Sequence, residues 1–405
     1  MNKINLLFKN NIRNKNLKQD LMKKFSRKFD KIFHKVEKEI QSPEETLNVL
    51  DRNYQFNFKI ENLKRFMRFK SIPLVGMGGS ILGSEAIYRF LKIKIKKKIY
   101  FFNDLDEGKI NSIKKKENLS KVLFIIVSKS GNTVETLSNT FTLNIIKKNS
   151  KNIIIISEKK NNLLFELSKK LNLFYIEHKK NIGGRYSVLS EVGIVPAFLM
   201  GLSVKKLRSN IRGFLKGKNK IFLKDSTIKL ANLINSKQFN NLIFLNYSPN
   251  LENFLYWCQQ LIAESLGKKN KGLLPVVSNV PKDHHSLLQL YLDGPKDKLY
   301  IIFHHKEKTK EKIIIDKNIK LKTFLKNKKL GLVKNAQRKA LIKIFKKKGT
   351  PFREFIIKNS DEKTLGELFS YFMLETIIIG KLLKLNPYDQ PAVEQVKIYT
   401  KRLLT

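Results

Sequence analysis

The chain has 405 residues, 42% of them hydrophobic, enough to bury the cores of two ordinary globular domains, which excludes a disordered or fibrous protein. Eighty-one Lys plus Arg stand against 34 Asp plus Glu, a formal net charge of +47. The excess is almost all lysine, spread along the chain among Asn and Ile, so it argues against a dedicated nucleic-acid reader, which concentrates Arg and aromatics on one face. The same charge attracts anionic substrates at low salt.

Residues 1–65 are polar, lysine-rich and free of Gly, and read as a helical N-terminal lead-in that packs on something else. Its start, MNKINLLFKNNIRNKN, has no uninterrupted apolar core of the kind a secretion signal needs. From 66 to 204 the texture becomes that of an α/β unit. SIPLVGM, KKIYFFN, VLFIIVS and KNIIIIS read as strands, and SEAIYRFLKI and TVETLSNTFTLNIIKK as helices. Aliphatic runs without alternation imply strands buried on both faces, hence a parallel sheet covered by helices.

Two of these strands end in unusual turns. After Val75 comes GMGGSILGS; a dinucleotide fingerprint wants glycine where this chain has Ile81, so the turn is read instead as a close backbone approach to a ligand at Gly79, with the Ser80 hydroxyl beside it. After Val127 comes SKSGNTVE, where Ser128, Lys129, Ser130 and Thr133 crowd one strand-to-helix turn. Free N–H groups and the positive end of a helix dipole make such a turn a phosphate cradle; the plainer reading is a Thr133/Glu135 capping pair. Both turns open on the same edge of a parallel sheet, so together they suggest a phosphosugar site.

A basic connector around Lys205–Lys224 precedes a second α/β unit, 225–385. NNLIFLN and KLYIIFHH read as its strands, NLENFLYWCQQLIAESLG and TLGELFSYFMLETIIIGKLLKL as its helices. The one cysteine, Cys258, excludes an intrachain disulfide and fits a reducing compartment. The apolar stretch from Tyr371 holds Glu375 and Lys381 and is too short to span a bilayer, so a soluble cytoplasmic protein is expected. Pro387 and Pro391 set off 386–405 as an arm ending in the helix AVEQVKIYTKRLL.

In order along the chain, GMGGSILGS, SKSGNTVETL, GGRYSVLSEVG, AESLGK, DHHSLLQLYLDG and NPYDQPAVEQVK resemble the motifs of the phosphoglucose isomerase family. The phosphate turn alone would indicate only the wider sugar-isomerase fold; AESLGK, HSLLQ and NPYDQP are the selective segments. The resemblance implies two sugar-isomerase (SIS) domains, usually in a homodimer, that interconvert glucose 6-phosphate and fructose 6-phosphate with no metal and no redox cofactor.

It also implies roles. Glu264 matches the base that moves a proton between C1 and C2, a task suited to a carboxylate. Of the adjacent His284 and His285, the family spacing to a glutamine, here Gln289, selects His285 for ring opening, donated across a dimer interface. Lys397 matches a lysine near the ring oxygen, Arg185 the cation for the enediolate, and Gln260 and Gln390 side chains lining the pocket. Less typical neighbours, NVPKDHH and Ala263, leave His284 open as the alternative histidine. Rival readings are a non-catalytic phosphosugar sensor of the same fold and an isomerase that also accepts mannose 6-phosphate.

Overall fold

The computed structural model describes residues 4–306, 311–316, 319 and 323–404. It contains two five-stranded sheets. The first is wholly parallel, in the order β3-β2-β4-β5-β6, from β2 (Ser71–Val75), β3 (Lys98–Phe102), β4 (Phe124–Val127), β5 (Ile153–Ser157) and β6 (Phe174–Glu177). The second runs β1-β10-β9-β7-β8, from β1 (Leu6–Asn10), β7 (Asn241–Asn246), β8 (Leu274–Asn279), β9 (Lys298–His305) and β10 (Phe352–Ile357), with only β1 antiparallel. The unbroken aliphatic runs have the burial they imply: every residue of β2, β4 and β5 is buried.

The N-terminal segment departs from its reading as a helical lead-in. Leu6–Asn10 forms the edge strand of the second sheet, with Leu7 opposite Ile356. Only then does the long helix Gln19–Gln41 begin, laying Phe25, Phe29, Phe33, Val36 and Ile40 onto the helices Gly217–Ser236 and Glu362–Leu382. The basic connector is likewise structured: it holds the helix Val204–Arg208 and the start of Gly217–Ser236. The helix expected over TVETLSNTFTLNIIKK stops at Thr142, because Asn144 turns left-handed, a conformation asparagine tolerates.

Glu362–Leu382 is the central helix, buried except for its lysines, so its acidic groups need partners. Glu375 has a bidentate one in Arg353, with Nη1–Oε1 at 2.6 Å and Nη2–Oε2 at 3.1 Å, and it also accepts from Tyr371 at 2.6 Å. Lys381 reaches Glu39 Oε1 at 2.5 Å. No helix among the described residues is long and apolar enough to cross a membrane.

In each sheet the strand order reverses once: between β2 and β4 in the first, between β7 and β9 in the second. Ligand crevices of open α/β sheets lie at the carboxyl ends of the strands at such a reversal. The Gly76–Ser80 and Ser128–Thr133 turns follow β2 and β4, so topology places both at the first crevice.

Candidate active site

The helix Glu252–Leu266 crosses from the second sheet to this crevice. Phe254, Leu255, Trp257, Cys258, Leu261 and Ile262 are its buried stripe, packing on Glu362–Leu382 and on the helix Leu82–Leu91. Gln260 and Glu264, four residues apart, share another face. Gln260 Nε2 donates to Glu264 Oε1 at 2.9 Å, and a Cβ built at Gly78 would lie 2.8 Å from that nitrogen. The carboxylate therefore stands beside the first glycine turn.

Its other oxygen is held from the opposite side. Arg185 Nη1 donates to Glu264 Oε2 at 3.0 Å and to Gln390 Oε1 at 3.1 Å. Nε donates to Ser265 Oγ at 2.8 Å, and Nη2 to the carbonyls of Pro387 and Asp389 at 2.8 and 2.9 Å. All five guanidinium N–H donors are thus engaged within the protein, and the side chain is 3% exposed against 29% for Glu264. The sequence reading assigned this cation to the enediolate; in the structure it clasps the carboxylate and the NPYDQP loop to one another.

The clasp sits on a tight junction of backbones. The turns Gly78–Ser80 and Gly184–Leu189 are so close that a Cβ on Gly79 would stand 2.5 Å from Gly184 O and 2.6 Å from Arg185 N. Ser187 Oγ donates to the carbonyls of Gly184 and Gly79 at 2.7 and 3.3 Å. Ser80 ends the first turn, half-buried beside the crevice.

The second turn is a hydroxyl cluster. Ser128 Oγ lies 2.8 Å from Thr133 Oγ1 and 3.4 Å from Ser130 Oγ, with Ser130 and Thr133 3.3 Å apart. Thr133 is the N-cap residue of the helix Val134–Thr142, yet its side chain makes no capping bond. The plainer capping reading thus fails at its first bond, because the hydroxyl faces its neighbours. Gly131 supplies the positive φ of +70° that the turn needs, and a side chain there would overlap Asn162, whose Oδ1 caps the next helix at Phe165 N, 3.0 Å. Lys129 turns away from the hydroxyls, donating to Lys180 O at 2.8 Å with Glu158 at 3.5 Å; burial lowers its pKa. It ties loops together where the sequence reading had it touching phosphate.

A site of this kind, a helix-borne carboxylate beside a glycine turn and a hydroxyl cradle, can be set against known proteins. A family model described as phosphoglucose isomerase matches residues 43–278. The chain belongs to the phosphoglucose isomerase family. It is 32% identical over 377 residues to a glucose-6-phosphate isomerase of Campylobacter jejuni, spanning 89% of this chain and 90% of that one. To one of Methanocaldococcus jannaschii it is 30% identical over 366 residues, 87% and 89% of the two chains. A solved glucose-6-phosphate isomerase of Chlamydia trachomatis shares the fold, with a TM-score of 0.76 at 16% identity over 99% of this chain and 89% of that one.

Two residues that the family resemblance singled out are not gathered by the single chain. His285 lies exposed on the short turn Lys282–His285 that follows β8 and packs against β8 and the next helix. Its neighbour His284 faces inward, Nε2 3.1 Å from Tyr247 OH, and burial lowers its pKa. Lys397 is on the helix Glu394–Leu404, 62% exposed and paired with Glu394 at 2.7 Å. Conversely, three residues of this cluster, Tyr186, Ser265 and Lys268, went unremarked in the sequence although they sit inside the motifs quoted above. Ser265 joins Arg185 to Tyr186; the Tyr186 hydroxyl, 2.8 Å from Ser265 Oγ, lies 2.8 Å from Pro387 O. Lys268 fixes the same loop through Asp389 Oδ1 at 2.6 Å and the Asn386 carbonyl at 2.5 Å, and this bond holds the Asp389 carboxyl below its usual range.

Proposed function

We propose that the chain interconverts glucose 6-phosphate and fructose 6-phosphate, with Glu264 as the base. The observation that carries the reading is the carboxylate of Glu264 held at both oxygens, by Gln260 and Arg185, beside the Gly78–Ser80 turn. A base fixed by two partners meets one face of a bound sugar without reorganising.

The substrate's phosphate sits in the Ser128, Ser130 and Thr133 hydroxyls and the N–H groups behind them, and this anchors C1 and C2 at Glu264. After ring opening, the carboxylate takes the C2 proton and electrons shift to the C1 carbonyl oxygen to give the enediolate; the C2 hydroxyl proton passes to that oxygen, the C2 carbonyl forms, and Glu264 returns its proton at C1. Arg185 holds the base in place and adds its positive field. Gly79 and Ser80 lie at the sugar end, and Gln390 closes the pocket from the NPYDQP loop.

Ring opening falls to His285 and Lys397, and both reach a site in a homodimer. Support for a second copy comes from the final helix, which leaves Val396, Tyr399, Leu403 and Leu404 between 60% and 87% exposed. The reaction needs no oxidant, since the aldose is oxidised at C2 as it is reduced at C1. A buried lone cysteine, Cys258, accords with work in the reducing cytoplasm.

The test is conversion of fructose 6-phosphate to glucose 6-phosphate by the purified chain, read by a coupled dehydrogenase, beside Glu264→Gln. The variant keeps the shape of the side chain and one of its two accepting oxygens but not the base, and a loss of at least about 100-fold in kcat is expected. Unchanged turnover in the variant would move the base elsewhere; no turnover with sugar phosphate still bound would make the protein a sensor.

A further inference from the structure

The second sheet has its own reversal, between β7 and β9, and a cleft of about 650 Å³ lies there. Tyr247, the residue after β7, and His304 and His305, which end β9, form its floor. It is the counterpart of the crevice that holds the Ser128 turn in the first sheet, and nothing in the proposed isomerisation uses it. We propose that this cleft is a second ligand site, for a phosphate ester carrying a flat apolar group, of about the size of a nucleotide.

Charge argues for the phosphate. Lys306 and Lys329 line the cleft together with Arg338. The buried carboxylate behind them, Glu354, is already more than matched: Arg338 pairs with it, the His304 ring lies at 3.2 Å and Lys9 at 3.6 Å. Lys329 stands at the N-terminus of the 19-residue helix Leu330–Lys348 without a side-chain capping bond; the helix's first turn faces the cleft and carries no acidic residue, so the helix dipole adds to the same potential.

The walls argue for the flat group. Leu7 and Ile356, directly opposite one another across β1 and β10, line one side, and Leu332 and the Tyr247 ring line others. Leu7 and Leu332 are 43% and 52% exposed, apolar surface that a nucleobase would cover. A cleft of several hundred Å³ with apolar walls and a few convergent polar groups is the usual form of a small-molecule site.

The experiment is equilibrium binding of ATP and of inorganic pyrophosphate to the full-length protein by calorimetry, at about 0.15 M salt so that the general charge is screened. It is repeated with saturating fructose 6-phosphate and with the Lys306→Glu/Lys329→Glu variant. The expected result is saturable binding of ATP, one per chain, about tenfold tighter than pyrophosphate. Fructose 6-phosphate should leave it unchanged, and the double variant should weaken it by at least about tenfold while isomerase activity stays the same. Displacement of ATP by fructose 6-phosphate would place the nucleotide in the first crevice and overturn the proposal. So would equal binding by the double variant, or pyrophosphate binding as tightly as ATP.

Discussion

Arg185→Lys is the substitution that reads the clasp most directly, because it keeps the charge and removes the fork. The guanidinium makes five hydrogen bonds, to Ser265, Glu264, Gln390 and the carbonyls of Pro387 and Asp389. An ammonium has three donors diverging from one nitrogen, so at least two of those acceptors lose their partner. Hydrogen bonds to a charged group contribute about 1.5 kcal/mol or more each, which puts the loss near 3 kcal/mol. With an unfolding entropy of about 2 cal/mol/K per residue, a chain of 405 residues should melt about 3–4 °C lower. Activity should suffer more than stability, since both Glu264 and the NPYDQP loop are left loosely held: kcat/KM is expected to fall by more than about 100-fold. Calorimetric melting and steady-state rates on the same preparation measure the two. A melting point within about a degree of the parent and rates within twofold would refute the reasoning, since the five bonds would then have no mechanical role.

Gly79→Ala should fail for a different reason: its Cβ would press on the backbone at Gly184 and Arg185, which has no rotamer to retreat to. Overpacking of this kind costs about 1–3 kcal/mol, and urea unfolding should show it together with at least a tenfold loss of activity; an alanine variant as stable as the parent would mean the two turns move independently. His178 gives a pH signature. Burial lowers its pKa to about 4, from an ordinary 6.5, while Nδ1 keeps a hydrogen bond to Lys179 O at 2.9 Å. Between these values the unfolded chain takes up a proton that the folded one refuses, so stability falls as pH drops from about 6.5 to 4, by about 3 kcal/mol at most. The difference between parent and His178→Gln in urea unfolding across that window isolates the effect, and parallel curves would show that His178 titrates normally in the folded protein.

How far each feature was legible in the sequence follows from the range of the forces behind it. The parallel first sheet was readable because a strand buried on both faces must be a run such as IIIIS, and the two turns because glycines and hydroxyls interrupt such runs. Glu264 and Gln260 were bound to share a face, being one helical turn apart. The local sequence could not assign the short LLFKN to the second sheet: its alternating burial belongs to an edge strand whose partner, β10, is about 350 residues away.

The clasp is the clearest case of what tertiary structure alone decided. Arg185 meets acceptors 79 to 205 positions along the chain, so no local pattern marks which of its possible roles it takes. Lys129 is similar, since whether its ammonium faces a phosphate or a carbonyl depends on where Lys180 and Glu158 come to rest. Residue types and spacing determined which chemistry this protein can hold; the packing of two sheets through shared helices decided which atoms hold the carboxylate. Hydrophobic periodicity acts over a few residues, whereas a hydrogen-bonded charge is positioned by every element that surrounds it.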